Sequence, residues 1–202
     1  MFDDKNKSQW IFWGKKQHGG CVKKQFCSKM IVRNNEDMDI CLLEMREDVI
    51  ETGRMNNVML RSICLPDEEP AAGSSCFTSG VNRDSKKIDP VPLNLFTYQY
   101  CDNHSVYSQL GTSLNQNQLC AGLPSNTDYT APFNGKHEED FGGPLICLEK
   151  DTQRPIFTGV ASSNSLSTKK GQPGIYTNIY KNKNWIRSKT GKIATLVHLS
   201  YM

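Results

Sequence analysis

The sequence predicts an all-β fold, and three observations carry that prediction. Short apolar runs alternate with turn residues along most of the chain. Eight cysteines are spread among them. A single stretch before the tail reads as helix. The runs are Met30-Ile31-Val32, Ile40 to Met45, Ser62 to Leu65, Cys76 to Val81, Leu93 to Tyr98, Pro144 to Leu148, Pro155 to Val160 and Gly174 to Tyr180. The segments between them, such as 66–75, 122–136 and 162–173, are rich in Gly, Pro, Asn and Ser. Many short strands with frequent breakers describe a sandwich or a barrel. The helix is Lys181 to Lys189, which carries Trp185 and Ile186. Residues 1–28 are polar, Lys-rich and without clear period, and the chain shows no internal repeat or low-complexity segment.

Bulk properties narrow the function classes. A chain of 202 residues is one large domain or two small ones, long enough to bury most of its apolar surface. Lys and Arg number 24 against 21 Asp and Glu, a formal net charge of +3. That charge is too balanced to argue for a nucleic-acid or membrane surface, neither of which is expected as a partner, and the scattered pairs Lys15-Lys16, Lys23-Lys24, Lys86-Lys87 and Lys169-Lys170 read as solvated surface. No apolar run approaches bilayer length. At the start of the chain acids come first and the apolar run Trp10 to Trp13 is short, so no secretory signal is visible. The cysteines point the other way, to an oxidising compartment and an extracellular protein. A missing true N-terminus is the expectation that reconciles the two. Asn103-His104-Ser105 is an acceptor pattern for N-glycosylation. No metal or cofactor is expected.

The most telling segment is Glu139-Asp140-Phe141-Gly142-Gly143-Pro144-Leu145-Ile146-Cys147. It resembles the Gly-Asp-Ser-Gly-Gly-Pro-Leu-Val-Cys nucleophile loop of trypsin/chymotrypsin-like serine proteases. Further segments follow the family's order. Asp37-Met38-Asp39-Ile40-Cys41-Leu42-Leu43-Glu44-Met45 is similar to its Asn-Asp-Ile-Ala-Leu-Leu-Lys-Leu strand. Ile63-Cys64-Leu65-Pro66 with Gly73-Ser74-Ser75-Cys76-Phe77-Thr78-Ser79-Gly80 resembles the interdomain stretch and the first strand of the second barrel. Leu119-Cys120-Ala121-Gly122 precedes the altered loop, while Phe157 to Ser162 and Gln172-Pro173-Gly174-Ile175-Tyr176-Thr177-Asn178 resemble the strands lining the specificity pocket. Each motif alone is moderately specific, but their joint order makes chance a poor explanation.

The resemblance covers roughly residues 29–190 and implies a trypsin-like double antiparallel β-barrel with a C-terminal helix. Counted back from Asp39, about the first three strands of the first barrel are missing. The expected organisation is a divergent segment 1–28, a partial first barrel 29–70, a second barrel 71–180, a helix 181–190 and a tail 191–202. By the same resemblance Cys76 pairs with Cys147 and Cys101 with Cys120. The family's usual further bridge has lost both halves: His137 stands at one position and Ser165 to Lys170 has no cysteine. Cys41 stands where the family has buried alanine and is expected to be a core thiol. Cys64 matches a cysteine that in many members bridges to an N-terminal chain, although Cys21 or Cys27 could also serve it.

The family's chemistry needs a serine nucleophile, a histidine base, an aspartate that orients it and backbone donors for the oxyanion. Phe141 holds the nucleophile position and has no oxygen. Loss of that hydroxyl costs about a millionfold in turnover in a well-studied protease. The histidine should precede Asp39 by about 45 residues in an Ala-Ala-His-Cys setting. Only 38 residues precede Asp39, and His18 is a loop histidine in another context. Asp39 is therefore a relic. Glu139 replaces the oxyanion-hole glycine, and with Glu138 it would repel a developing negative charge. Asp140 matches the aspartate that captures a new N-terminal amine on activation. The pocket positions are Gly135 at the base, and Ser162, Ser163, Asn164 and Gly174 along the walls. Ser163 and Asn164 replace a tryptophan and a glycine, and Phe141 could fill the mouth.

The resemblance implies a non-catalytic serine protease homologue that binds a protein partner, or a missing N-terminal chain linked through Cys64. The alternatives are a truncated fragment of a serine-type endopeptidase with no independent role, and an active peptidase with another nucleophile.

Overall fold

The computed structural model describes residues 9–13, 27–33, 40–45, 61–81, 88–104, 114–123, 142–162, 173–190 and 195–198. The first sheet holds β1 (Gln9–Trp13), β2 (Cys27–Val32), β3 (Cys41–Met45), β4 (Arg61–Ile63) and β11 (Thr195–His198), in the order β2-β3-β1-β11-β4. The second sheet is a closed barrel of β5 (Ser75–Val81), β6 (Ile88–Leu95), β7 (Gln118–Gly122), β8 (Pro144–Leu148), β9 (Pro155–Ala161) and β10 (Gly174–Asn178), in the order β10-β7-β6-β5-β8-β9. Its strand pairs are all antiparallel. Two helices are described, α1 (Tyr98–His104) and α2 (Ile179–Thr190).

The antiparallel second barrel and the C-terminal helix match the sequence expectation, and the first sheet is an open one of five strands among the described residues. Three details differ. Residues 1–28 contribute β1, which pairs antiparallel with β3 from Trp10↔Glu44 to Trp13↔Cys41. The tail contributes β11, which pairs parallel with β1 at Gln9↔Thr195 and Trp10↔Leu196 and antiparallel with β4. Finally, α2 is not the one helix before the tail. The segment 98–104, whose start had been counted in an apolar run, forms α1 because Thr97 caps it: its Oγ1 accepts from the Tyr100 N–H at 3.2 Å.

Two prolines sit inside β6, where a sequence reading expects breakers. The side chains alternate, with Val91, Leu93 and Leu95 buried and Pro90 and Pro92 exposed. On the neighbouring residues, the Leu95 N–H bonds Ser74 of the β5 side, and the Phe96 N–H bonds Cys120 of β7. Even-numbered nitrogens thus face β7. That strand meets β6 only at Asn94↔Gly122 and Leu95↔Ala121, so neither proline deprives a ladder of a donor.

One apolar cluster joins the two sheets. Ile40 and Leu42 of the first sheet pack with Phe157 and Val160 of β9 and with Ile179 and Ile186 of α2. Ile31, Ile63, Leu65 and Trp185 border it. A second cluster fills the barrel with Leu93, Leu95, Leu145, Ala161, Tyr176 and the cystine sulfurs of Cys76 and Cys147. β9 serves both clusters, with Phe157 and Val160 in the first and Ala161 in the second, and nearly every residue along β9 and β10 is buried.

α2 begins at Ile179 because Asn178 is its cap, accepting from the Lys181 N–H through Oδ1 at 3.3 Å. Its inward residues are Ile179, Asn182 and Ile186, and its last turn carries Arg187 and Lys189, which suit the negative end of the helix dipole. The linker 65–70 is strapped to the outer face by Lys181–Glu69 at 2.8 Å and Arg187–Asp67 at 3.8 Å. Such exposed pairs contribute about 0–1 kcal/mol. Each buried aliphatic of the joining cluster contributes about 1.5–3 kcal/mol. Apolar burial therefore dominates the joint.

Candidate functional site

Three strand ends of the barrel converge where the resemblance places an active-site wall. The nucleophile loop enters β8 through Gly142 and Gly143. Gly142 has a φ of 86°, a backbone state that a side chain would strain. Its N–H bonds the Ala161 carbonyl at 2.9 Å, and the Ala161 N–H returns to the Gly143 carbonyl at 2.8 Å. This reciprocal pair extends the β8–β9 ladder past Pro144↔Val160. Thr78 of β5, 3% exposed, donates its hydroxyl to the Pro144 carbonyl at 2.7 Å and so holds the loop's exit from the other side. Thr78 was missed in the sequence. Its signal was a polar residue in step with the inward-facing Cys76.

The pocket wall follows from β9 and β10. Ser162 is 1% exposed, and its N–H bonds the Ile175 carbonyl at 3.1 Å. Gly174 is buried and pairs with Ala121 of β7. Thus Ser162, Gly174 and the Gly142-Gly143 turn are brought to one end of the barrel. The Asp39, Gly135, Glu139, Asp140, Phe141, Ser163 and Asn164 positions lie outside the described residues, as do His18 and His137. Ile40, which follows Asp39, is fully buried in the cluster joining the sheets. His104 ends α1 and His198 ends β11, so neither belongs to the strand ends that meet at Ser162.

The bridges Cys76–Cys147 and Cys101–Cys120 are present. Cys76 and Cys147 are direct cross-strand partners between β5 and β8, with Cα atoms 3.9 Å apart. Cys101–Cys120 fastens α1 to β7. Cys41 is buried, and Cys64 is an exposed thiol at the start of the linker, where its carbonyl accepts from the Phe157 N–H at 2.9 Å. Asn103 is exposed near the end of α1.

Among the described residues, the charged groups that are shifted lie elsewhere. At the far end of the β8–β9 hairpin, the Thr152 hydroxyl and then the Arg154 guanidinium hold the Glu149 carboxyl below the usual carboxylate range. A cavity of about 590 Å³ opens between α1 and α2, lined by Phe96, Tyr98, Leu114, Gln118, Asn178 and Lys181 among others. Among the described residues no group of three or more His, Cys, Asp and Glu is placed to hold a metal, and no helix is long and apolar enough to cross a membrane.

Comparison with known proteins places this geometry. Tissue-type plasminogen activator of Sus scrofa is 24% identical over 186 residues, covering 88% of this chain and 32% of that protein. Mannan-binding lectin serine protease 1 of Rattus norvegicus is 27% identical over 150 residues, covering 71% of this chain and 20% of that protein. The chain thus spans a third or less of the length of these curated relatives. The solved structure of kallikrein-related peptidase 10 superposes with a TM-score of 0.58 at 22% identity, over 81% of this chain and 71% of that one, and shares the fold. A family model described as Trypsin matches residues 13–186. That match runs from the end of β1 into α2 and takes in every strand of the closed barrel, and on it the chain belongs to the trypsin family of serine proteases.

Proposed function

We propose that this chain is a trypsin-family homologue without proteolytic activity, which works outside the cell by binding a protein. One observation carries the reading: Phe141 occupies the nucleophile position immediately before Gly142. The supporting turn is intact, with a positive φ at Gly142 and a reciprocal pair of backbone bonds to Ala161. The hydroxyl that this turn exists to present is gone. A phenyl ring can neither attack a carbonyl nor be activated by a base. Glu139 adds a carboxylate where the family's oxyanion is stabilised.

Two features support the binding role and the compartment. The disulfides Cys76–Cys147 and Cys101–Cys120 suit an oxidising environment. The exposed thiol of Cys64 lies at the junction of the two sheets, where a further polypeptide could be bridged. Non-reducing peptide mapping of the protein from its natural source tests that bridge: a cystine between Cys64 and a foreign peptide identifies the partner chain.

The catalytic test uses a serine-reactive phosphonate probe and a peptide substrate on the parent and on Phe141→Ser. Neither protein is labelled and neither cleaves, because restoring the hydroxyl leaves the Glu139 carboxylate where the oxyanion would have to be stabilised. Labelling with turnover in Phe141→Ser would sink the reading.

A further inference from the structure

We propose that Asn103 carries an N-linked glycan whose first sugar packs on the ring of Tyr100. This rests on the reading of the chain as a secreted protein. The acceptor pattern Asn103-His104-Ser105 is present in the sequence. The structure supplies what the pattern lacks, an orientation and a platform.

Three contacts fix how α1 lies on the barrel. Cys101, 1% exposed, is bridged to Cys120. Asp102 accepts from the Leu114 N–H through Oδ1 at 3.1 Å. The Tyr98 hydroxyl donates to the Leu114 carbonyl. Around these anchors Tyr98, Gln99, Tyr100 and Asn103 are exposed. Helical residues three apart are surface neighbours, with Cβ atoms about 5–6 Å from one another. Tyr100 and Asn103 are such a pair.

The Tyr100 ring suits a sugar. It is 40% exposed, and its centroid lies 4.5 Å from that of Phe96, which is itself partly buried against Cys101, Leu114, Cys120 and Ile175. The ring is thus backed by the protein while keeping an open surface. An open aromatic face carries negative quadrupole charge and apolar area. The C–H face of a pyranose supplies weakly positive hydrogens and buries the same area. The exposed part of the ring is within reach of a glycan on the adjacent asparagine, which covers it without recruiting a separate molecule.

The modification balances as a transfer from a lipid-linked oligosaccharide diphosphate. The Asn103 Nδ2 forms a bond to C1 of the first sugar as the C1–O bond to the diphosphate breaks. The diphosphate leaves with the electron pair, and an amide proton passes to a base of the transferring enzyme.

The test uses the full chain secreted by eukaryotic cells or taken from its natural source. Peptide-N-glycosidase treatment in heavy-oxygen water is followed by mass mapping of the Asn103 peptide and of the cystines in the same sample. Conversion of Asn103 to heavy-oxygen aspartate supports the proposal. Unmodified Asn103 in a sample with both disulfides intact overturns it while leaving the secretory reading standing. Reduced cysteines overturn both.

Tyr100 is tested by thermal midpoints before and after enzymatic removal of the glycan, in the parent, Tyr100→Phe and Tyr100→Ala. Tyr100→Ala weakens the support of Phe96 by itself, so only the shift caused by deglycosylation within each variant is read. That shift is a clear drop in the parent and in Tyr100→Phe, and is absent in Tyr100→Ala. An equal drop in all three, or none in the parent, overturns the packing.

Discussion

Replacing Asn182 with alanine tests how the first sheet is held to the second barrel. Asn182 is fully buried on the inner face of α2. Its Nδ2 donates to the Asn178 carbonyl at 2.7 Å, and its Oδ1 accepts from the guanidinium of Arg33, the residue after β2. Arg33 also lies over the Trp185 ring, with its guanidinium carbon 5.5 Å from the centroid. A hydrogen bond to a charged group is worth about 1.5–3 kcal/mol net, and stranding the partner adds a desolvation cost. Arg33 is only half-buried, so water partly re-solvates it and the lower part of that range applies. With the lost helix-start contact, Asn182→Ala costs about 2–3 kcal/mol. For a chain of this size that lowers Tm by about 5–10 °C. The assay is urea and thermal unfolding of the parent, Asn182→Ala, Arg33→Met and the double variant. A coupling of about 1–2 kcal/mol between the two sites is expected. A cost below about 0.5 kcal/mol with no coupling would refute the clamp, leaving the apolar cluster of Leu42, Phe157 and Ile186 as the whole joint.

Three further outcomes follow from the same structure. Removing the Cys76–Cys147 bridge as Cys76→Ala/Cys147→Ala, across a separation of 71 residues, lowers unfolding free energy by about 4 kcal/mol on chain entropy alone, read from denaturant midpoints. Gly159→Ala places a Cβ 2.9 Å from the Tyr176 Cβ, both held between packed strands, and costs about 1–3 kcal/mol in the same assay. Glu149 has a lowered folded pKa, so its contribution is present above the unfolded carboxyl's value and is lost as pH falls through the folded one. Glu149→Gln is therefore slightly less stable than the parent near neutrality, and melts at stepped pH show the gap closing in acid.

The barrel was legible in the sequence because its strands are local apolar runs with turns between them, as in Pro144 to Leu148 and Pro155 to Val160. The cysteine pairs followed from the family resemblance, since their spacing alone allows many pairings. β1 and β11 were not legible: a parallel pairing between Gln9 and Thr195 leaves no periodic trace in either segment. α1 was hidden because a short polar helix has no apolar stripe, and it depends on the Thr97 cap and the Cys101 bridge. At the candidate site, the sequence offered Phe141 and Glu139 through the family resemblance, while the structure added the Gly142–Ala161 bond pair and Thr78, whose roles depend on strands distant in sequence.

The parallel contact of β1 with β11 also sets an order of events at the ribosome. Strands β5 to β10 are contiguous, so the closed barrel can form as soon as residue 178 has emerged. The first sheet cannot: β1 is made long before one of its two neighbours, Thr195–His198. At about 5–20 residues per second, β1, β2 and β3 wait many seconds for β11 to complete their sheet. Ile40 and Leu42 need not wait for it, since Phe157, Val160, Ile179 and Ile186, which pack on them, belong to β9 and α2. The second barrel, though made after β1 to β3, can therefore close before the first sheet is complete.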